Sequence, residues 1–488
     1  MSLVRYALPS LLLLYFLWRS LRQRVFLLGI PFLMFMSFSV FFEKVKPLWV
    51  PGRLDPVDLA MAWLVITWAL YFDLLLPKRR RNVRERQLFG PRLQLPEELV
   101  LVGLAAYVAV EVALTAVHYS GLGSAVTEAK PFLFFTAGYF LLRGICCHAG
   151  RADTIDFVAA IVVVNTIAAG LFVLHQGLHV HIYNVTEYQS IIFMGQQLTR
   201  SFYFMPQFLP LAIAFCVAKS KWGLLWSGVL VVTLGAVWVS YTRSLLLIAV
   251  IEIIVVLAVR LLKARQAWPA LKRGLQLAGL IALLAALAFA LLPTQSDYLL
   301  SRLHAATSGG GPTHDVNVQS RVSSARTAYR YLGSDGHLFG AGFVSAGQNP
   351  QVSEIDVLAS DLVWVPTVYR LGLLGVVVLV ALFATAGWRA ASLSLTGDGD
   401  AEFLSIVLLG VIIGVFLQGF VSWTILDPER SPLALWLLAL LAAETCRRRQ
   451  ERRLAIAESS AAESVTLRPC QARGYKDAAT RVNGLRAG

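Results

Sequence analysis

Charge is scarce in this chain. Only 15% of its 488 residues are Asp, Glu, Lys or Arg, while 57% are hydrophobic. Soluble domains carry about 25% charged and about 45–50% apolar residues, so a soluble globule is excluded. The mean hydropathy of +0.65 agrees. Cysteine is scarce too. The five residues Cys146, Cys147, Cys216, Cys446 and Cys470 fall in helices or on the cytoplasmic side, so they offer neither an external disulfide nor a metal-ligand spacing. A Gly-rich phosphate loop is missing, and so is an Asp-x-Asp motif of the kind that holds a divalent cation against a diphosphate. Asp398 and Asp400 lie in a Gly-rich turn and read as solvated. No small-residue cleavage site follows the short apolar run after Arg5, so the first helix is expected to be retained.

What is present is a series of long apolar runs. They predict an all-α polytopic membrane protein with about 12–13 transmembrane helices. The spans are expected near 7–18, 25–42, 57–76, 97–118, 130–147, 155–175, 207–219, 222–240, 244–262, 275–292, 361–388, 403–421 and 432–446. The transmembrane domain thus covers 1–449, and 450–488 is expected as a polar, disordered cytoplasmic tail. Basic residues outnumber acidic ones 43 to 29, a net +14, which in so apolar a chain points to the positive-inside rule and not to nucleic acid. The loop with Lys78, Arg79, Arg80, Arg81, Arg84 and Arg86 is taken as cytoplasmic. Counting outward from it puts Arg19/Arg22/Arg24, Lys219/Lys221, Lys263/Arg265/Lys272/Arg273 and Arg447–Arg449 on the same side. The C-terminus is therefore expected in the cytoplasm.

Two loops on the opposite side are long, about 176–206 and 293–360. The second contains the flexible run Ser308 to Pro312, a helix-like stretch from Ser323 to Leu332, and Gly-rich turns at Gly340 and Gly342. This face carries arginines against expectation: Arg200, Arg243, Arg302, Arg321, Arg326, Arg330 and Arg370. A guanidinium at a helix centre costs about 2.5–3.5 kcal/mol on insertion scales. One reading has them snorkel to lipid phosphates or pair with Asp297, Asp315, Glu354, Asp356 and Asp361. The other has them bind a phosphorylated substrate, because the planar fork of donors fits phosphate oxygens. Without a metal motif, arginine would neutralise the diphosphate charge, and no metal or other cofactor is expected.

Ser240-Tyr241-Thr242-Arg243-Ser244 opens a helix. Arg321 to Phe343 carries Ala328, Tyr331, Leu338, Phe339, Gly340 and Gly342. Ser360-Asp361 is followed by Leu371-Gly372-Leu373-Leu374-Gly375, and Arg200 is followed by Phe202 and Pro206. In these segments the chain resembles the bacterial O-antigen ligase and O-antigen or exopolysaccharide polymerase superfamily. The resemblance implies a membrane-embedded, GT-C-like glycosyltransferase with a large external loop, working without metal on polyprenyl-diphosphate-linked glycans. It places the chain in the bacterial inner membrane with its site facing the periplasm, and implies a chain-length regulator and a flippase as partners. Carried over by position, Arg200, Arg243 and Arg321 would contact the diphosphate, with Arg326 beside them. The ligase branch has a histidine where this chain has Asp361, which points to a polymerase, with the ligase as the alternative. A lipid-linked glycan flippase or transporter is the alternative from another class.

For the chemistry, Asp361 is the candidate base, together with Arg243 and Arg321 at the leaving group. Ser360-Asp361 also fits a helix N-cap. Arg370, Glu354, Asp356, His337 and Glu111 are secondary candidates, and His304 and His314 are weaker ones from the same loop. Glu252 is a second intramembrane acid, of the kind that marks function. It lies nine residues after Arg243, about two and a half turns away, and so cannot pair with it. The aromatics Tyr183, Tyr188, Phe202, Tyr203, Phe204, Trp238, Tyr241 and Trp364 suit either an interfacial belt or sugar stacking.

Overall fold

The computed structural model describes residues 56–71, 95–119, 121–148, 150–177, 190–193, 196–199, 209–219, 224–240, 242–263, 267–307, 316–344, 364–420 and 436–483. Within them the chain is helical apart from one hairpin. The helices are α1 (Pro56–Tyr71), α2 (Pro96–Tyr119), α3 (Leu122–His148), α4 (Arg151–Gly177), α5 (Leu209–Ala218), α6 (Leu224–Val239) and α7 (Arg243–Lys263). They continue as α8 (Ala267–Leu291), α9 (Pro293–Thr307), α10 (Val316–Tyr331), α11 (Gly333–Phe339), α12 (Trp364–Thr396), α13 (Gly399–Gln418) and α14 (Leu438–Asn483). The hairpin pairs β1 (Ser190–Phe193) with β2 (Gln196–Thr199), Ser190 opposite Thr199 and Phe193 opposite Gln196.

Six of the described helices are long and apolar enough to cross a membrane: α2, α4, α7, α8, α12 and α13. They fit a multi-pass membrane protein. Outside water a backbone must satisfy its own hydrogen bonds, and the helix does so within one segment. The first two expected spans lie outside the described residues. α5 and α6 are apolar but shorter.

α5 is the hub. Its sequence, Leu-Pro-Leu-Ala-Ile-Ala-Phe-Cys-Val-Ala, is apolar on every side, and all ten residues are buried. α4, α6, α7 and α13 pack around it. α8 is apolar from Gly274 to Leu291, where Leu275, Ile281, Leu283, Leu287 and Leu291 are exposed, an arrangement that fits a membrane-crossing helix. α3 and α14 lock together where Trp436 lies over Gly138, its indole N–H donating to Phe134 O at 3.0 Å. A methyl group at position 138 would overlap the indole ring.

Ion pairs gather the helix ends that the charge pattern assigns to one side. Arg389 of α12 meets Glu97 of α2 at 2.7 Å, and Arg143 of α3 meets Glu98 at 2.7 Å. Lys263 of α7 meets Glu402 of α13 at 2.7 Å. The fully buried Glu444 of α14 receives Arg151 of α4 through two donors, at 2.8 Å and 3.0 Å, with Arg447 and Arg448 beside it. We call this the basic end. The end of α2, the starts of α3 and α12, and α11 form the opposite end.

The structure adds detail at three of the expected segments. Among the described residues the segment after Pro293 is largely helical. Pro293 starts α9, as proline can in a first helical turn, and α10 and α11 follow. α14 continues through the stretch from 450 to 483, to Asn483. Its Arg, Gln, Glu, Leu and Ala residues are strong helix formers, and residues 451–460 are exposed on all sides. Third, α3 begins at Leu122, eight residues before the expected start. Glu128 and Lys130 interrupt the apolar run, but both are paired. Lys130 meets Asp58 at 2.7 Å, and Glu128 meets Arg370.

Candidate functional site

At the end opposite the basic one, two stretches of backbone cross. α12 breaks at Gly372, whose φ of 62° and ψ of −167° are not helical. The turn after α11 runs across this break, with Gly340 at φ 83° and Gly342 at φ 76°. Ala341 N donates to Tyr369 O at 2.7 Å, and Gly342 N donates to Arg370 O at 3.2 Å. A Cβ on Gly340 would lie 2.5 Å from Arg370 O and 2.6 Å from Gly372 N, and one on Gly372 would meet Leu338 O and Gly340 N. Glycine at both positions thus permits the positive φ and the contact of bare backbones.

α2 buttresses the crossing. The Tyr107 hydroxyl reaches both chains, 2.8 Å from Phe339 O and 3.0 Å from Leu371 O, and it also bonds the Glu111 carboxyl one turn along α2. Two turns on, the Thr115 hydroxyl donates to Glu111 O at 2.7 Å and accepts from Phe343 N at 3.0 Å. The side chain of Phe343 enters the core, edge-on to Phe132 at 5.8 Å between centroids. A cleft of about 950 Å³ opens between α2 and this turn. Its polar lining is Tyr107, Glu111, Thr115, His118 and Tyr119, and its apolar walls include Phe339 and Leu374. Glu111 is largely buried, at 7% exposure, and is part of this lining.

Of the residues expected at a site, Glu111 lines this cleft. Arg370 is buried directly behind the crossing, its guanidinium 2.6 Å from Glu128 of α3. Among the described residues its acid is Glu128 of α3. His337 of α11 stacks on Tyr329 of α10, with ring centroids 3.9 Å apart and planes 5° apart, and its Nε2 lies 3.2 Å from Tyr329 O. That geometry fixes α11 to α10 and gives His337 a packing role. Arg326 and Arg330 are exposed on α10. Arg243 is the first residue of α7, and Arg321 lies within α10. Their side chains lie outside the described residues, as do Arg200, Glu354, Asp356 and Asp361 entirely.

Trp238 and Trp364 serve as packing. The Trp238 indole N–H donates to Ser296 Oγ at 3.3 Å and its ring meets Phe289. Trp364 meets Phe416 and Phe420. Tyr107, Thr115, His118, Tyr119 and Glu128 were missed by sequence reasoning. The signal was available on α2, where Tyr107, Glu111, Thr115 and His118 recur at intervals of four, four and three residues and so share one face of an otherwise apolar helix. Among the described residues no cluster of His, Cys, Asp and Glu has the geometry to hold a metal ion. Compared with models of known protein families and with curated proteins, the chain matches none.

Proposed function

We propose that the chain is a metal-independent glycosyltransferase that polymerises polyprenyl-diphosphate-linked oligosaccharide repeat units at the external face of the bacterial inner membrane. The observation that carries this reading is the cleft itself. It sits at the end opposite the basic one, is built by the glycine crossing, and holds a sequestered carboxylate among hydroxyl and aromatic groups. An acidic group for a sugar hydroxyl, tyrosines for sugar faces and an apolar wall for a prenyl chain are what such a substrate requires.

In the proposed step an acceptor hydroxyl attacks the anomeric carbon of the donor glycan. The bond from that carbon to the diphosphate oxygen breaks, and its electron pair leaves with the polyprenyl diphosphate. The hydroxyl proton passes to a carboxylate, for which Glu111 is the candidate in the cleft and Asp361 the one from the sequence. Arg243, Arg321, Arg326 and Arg200 are the proposed partners of the diphosphate, because fork-shaped cations stabilise the charge developing on a leaving group.

The test is purified protein in detergent with a polyprenyl-diphosphate-linked oligosaccharide as both donor and acceptor. The expected result is elongated glycan and released polyprenyl diphosphate, unchanged by EDTA. Elongation that stops with EDTA contradicts the arginine-based mechanism. Transfer that occurs only when a lipid A-core acceptor is added assigns the ligase activity instead, and movement of the lipid-linked glycan across a bilayer without elongation assigns transport.

A further inference from the structure

A second carboxyl lies far from the cleft. Glu252 is the tenth of the 21 residues of α7, so it sits near the middle of a membrane-length helix. Its exposure is 0%, and neither carboxyl oxygen has a hydrogen bond of good geometry among the described residues, the Ala214 backbone of α5 being the one polar group that acts on it. The space it fills is made by glycine. α13 presents Gly410 and Gly414 one turn apart. A Cβ on the first would lie 3.3 Å from Glu252 Oε1 and one on the second 3.5 Å from Oε2. α5 closes the slot from the other side, where the same added atoms would stand 2.6 Å from the Ala214 Cβ and 2.5 Å from the Pro210 Cβ.

Charged and titratable groups on the helices packed against α7 lie elsewhere. α6 has none. α5 contributes the Cys216 thiol, two residues beyond Ala214. Asp400 and Glu402 are in the first turn of α13, with Glu402 eight residues or about 12 Å of helix before Gly410. On α12, Arg370 and Arg389 are held by Glu128 and Glu97. Lys272 and Arg273 stand near the start of α8, and Asp297, Arg302 and His304 belong to α9. On α7 itself Arg243 opens the helix and Arg260 and Lys263 close it. No charged group is among those acting on the Glu252 carboxyl.

An ionised carboxylate without a partner in an apolar interior is far more costly than the neutral acid. We propose that Glu252 is an intramembrane proton-binding site, a carboxylic acid kept neutral in the closed slot between α5, α7 and α13. Loss of the proton would put a bare charge in the seam that holds α7 to α13, so proton occupancy and closure of that seam are coupled. The proposal is independent of the glycosyl-transfer reading.

The test is infrared difference spectroscopy of the purified protein at neutral pH, wild type minus Glu252→Gln. Exposed acids are ionised there. The expected difference is loss of one protonated-carboxyl C=O stretch in the variant, with the carboxylate bands unchanged. Loss of a carboxylate band instead overturns the proposal. Should Glu252→Gln not fold, Glu252→Asp serves the same purpose: a shift of the protonated C=O stretch supports the assignment, and an unmoved stretch refutes it. Disappearance of the protonated band on adding sodium ions would also refute it, in favour of a metal-cation site.

Discussion

Gly340, Gly372 and Gly399 all adopt positive φ, at 83°, 62° and 56°, but only the first two face another backbone. Nothing lies within 4 Å of a Cβ added at Gly399. That difference separates conformational strain from crowding. Gly399→Ala meets only the left-handed penalty, about 1–2 kcal/mol, partly offset by the lower entropy of the unfolded alanine chain. Gly340→Ala meets a larger backbone penalty, because φ 83° with ψ −173° is a region that is essentially glycine-only, and in addition places a methyl group 2.5 Å from Arg370 O. Relief requires the two chains to part by several tenths of an ångström. That loosens the bonds from Ala341 N to Tyr369 O and from Gly342 N to Arg370 O, along with the contacts of the Tyr107 hydroxyl. At about 0.5–1.5 kcal/mol per hydrogen bond, and with the larger backbone penalty added, Gly340→Ala should be less stable than Gly399→Ala by at least about 2 kcal/mol. Thermal unfolding of the three proteins in one mild detergent, followed by tryptophan fluorescence, measures the difference. The same variant should lose glycan elongation, since the crossing forms a wall of the cleft. Equal stability of the Gly340→Ala and Gly399→Ala proteins would refute the argument that bare-backbone contact sets the need for glycine.

The pair between Arg370 and Glu128 is open to a double-mutant cycle. Glu128 keeps 27% of its side-chain exposure, so Arg370→Ala should cost about 1–3 kcal/mol, less than for a fully buried pair. Adding Glu128→Ala should recover part of that loss, and a strictly additive double variant would contradict the pairing. Tyr107→Phe removes the hydroxyl that reaches the two crossing chains and should lower stability by about 1 kcal/mol, read by the same unfolding assay. Glu111→Gln should leave stability nearly unchanged while reducing elongation by about 10²-fold or more, the scale of general-base catalysis. Near-normal elongation would remove Glu111 from the chemistry.

The transmembrane frame was legible because an apolar run in a bilayer has few choices. The expected spans 97–118, 155–175 and 244–262 fall within four residues of the ends of Pro96–Tyr119, Arg151–Gly177 and Arg243–Lys263. Charge obscured α3, since Glu128 and Lys130 look costly until their partners on other helices are known. Tertiary pairing of this kind leaves no local trace. The glycine-rich turns at Gly340 and Gly342 were visible, as was the Leu371 to Gly375 run, but nothing in the chain announces that the two segments cross. That fact depends on two glycines 32 residues apart sharing one contact. Glu111 and Glu252 stood out for being acids in apolar helices. The structure then separates them, one lining a cleft beside hydroxyl groups and the other closed in a slot with no charged partner among the described residues.

Chain extension in living cells probes the account where it is most exposed, at the arginines proposed to hold the diphosphate. In a strain lacking its polysaccharide polymerase, complementation with Arg243→Ala or Arg321→Ala should give membrane-inserted protein and no polymer beyond single repeat units. Arg→Lys at either position should restore little, because the fork geometry is lost. Polymer of normal length from both alanine variants would contradict the claim that guanidinium groups carry the leaving diphosphate.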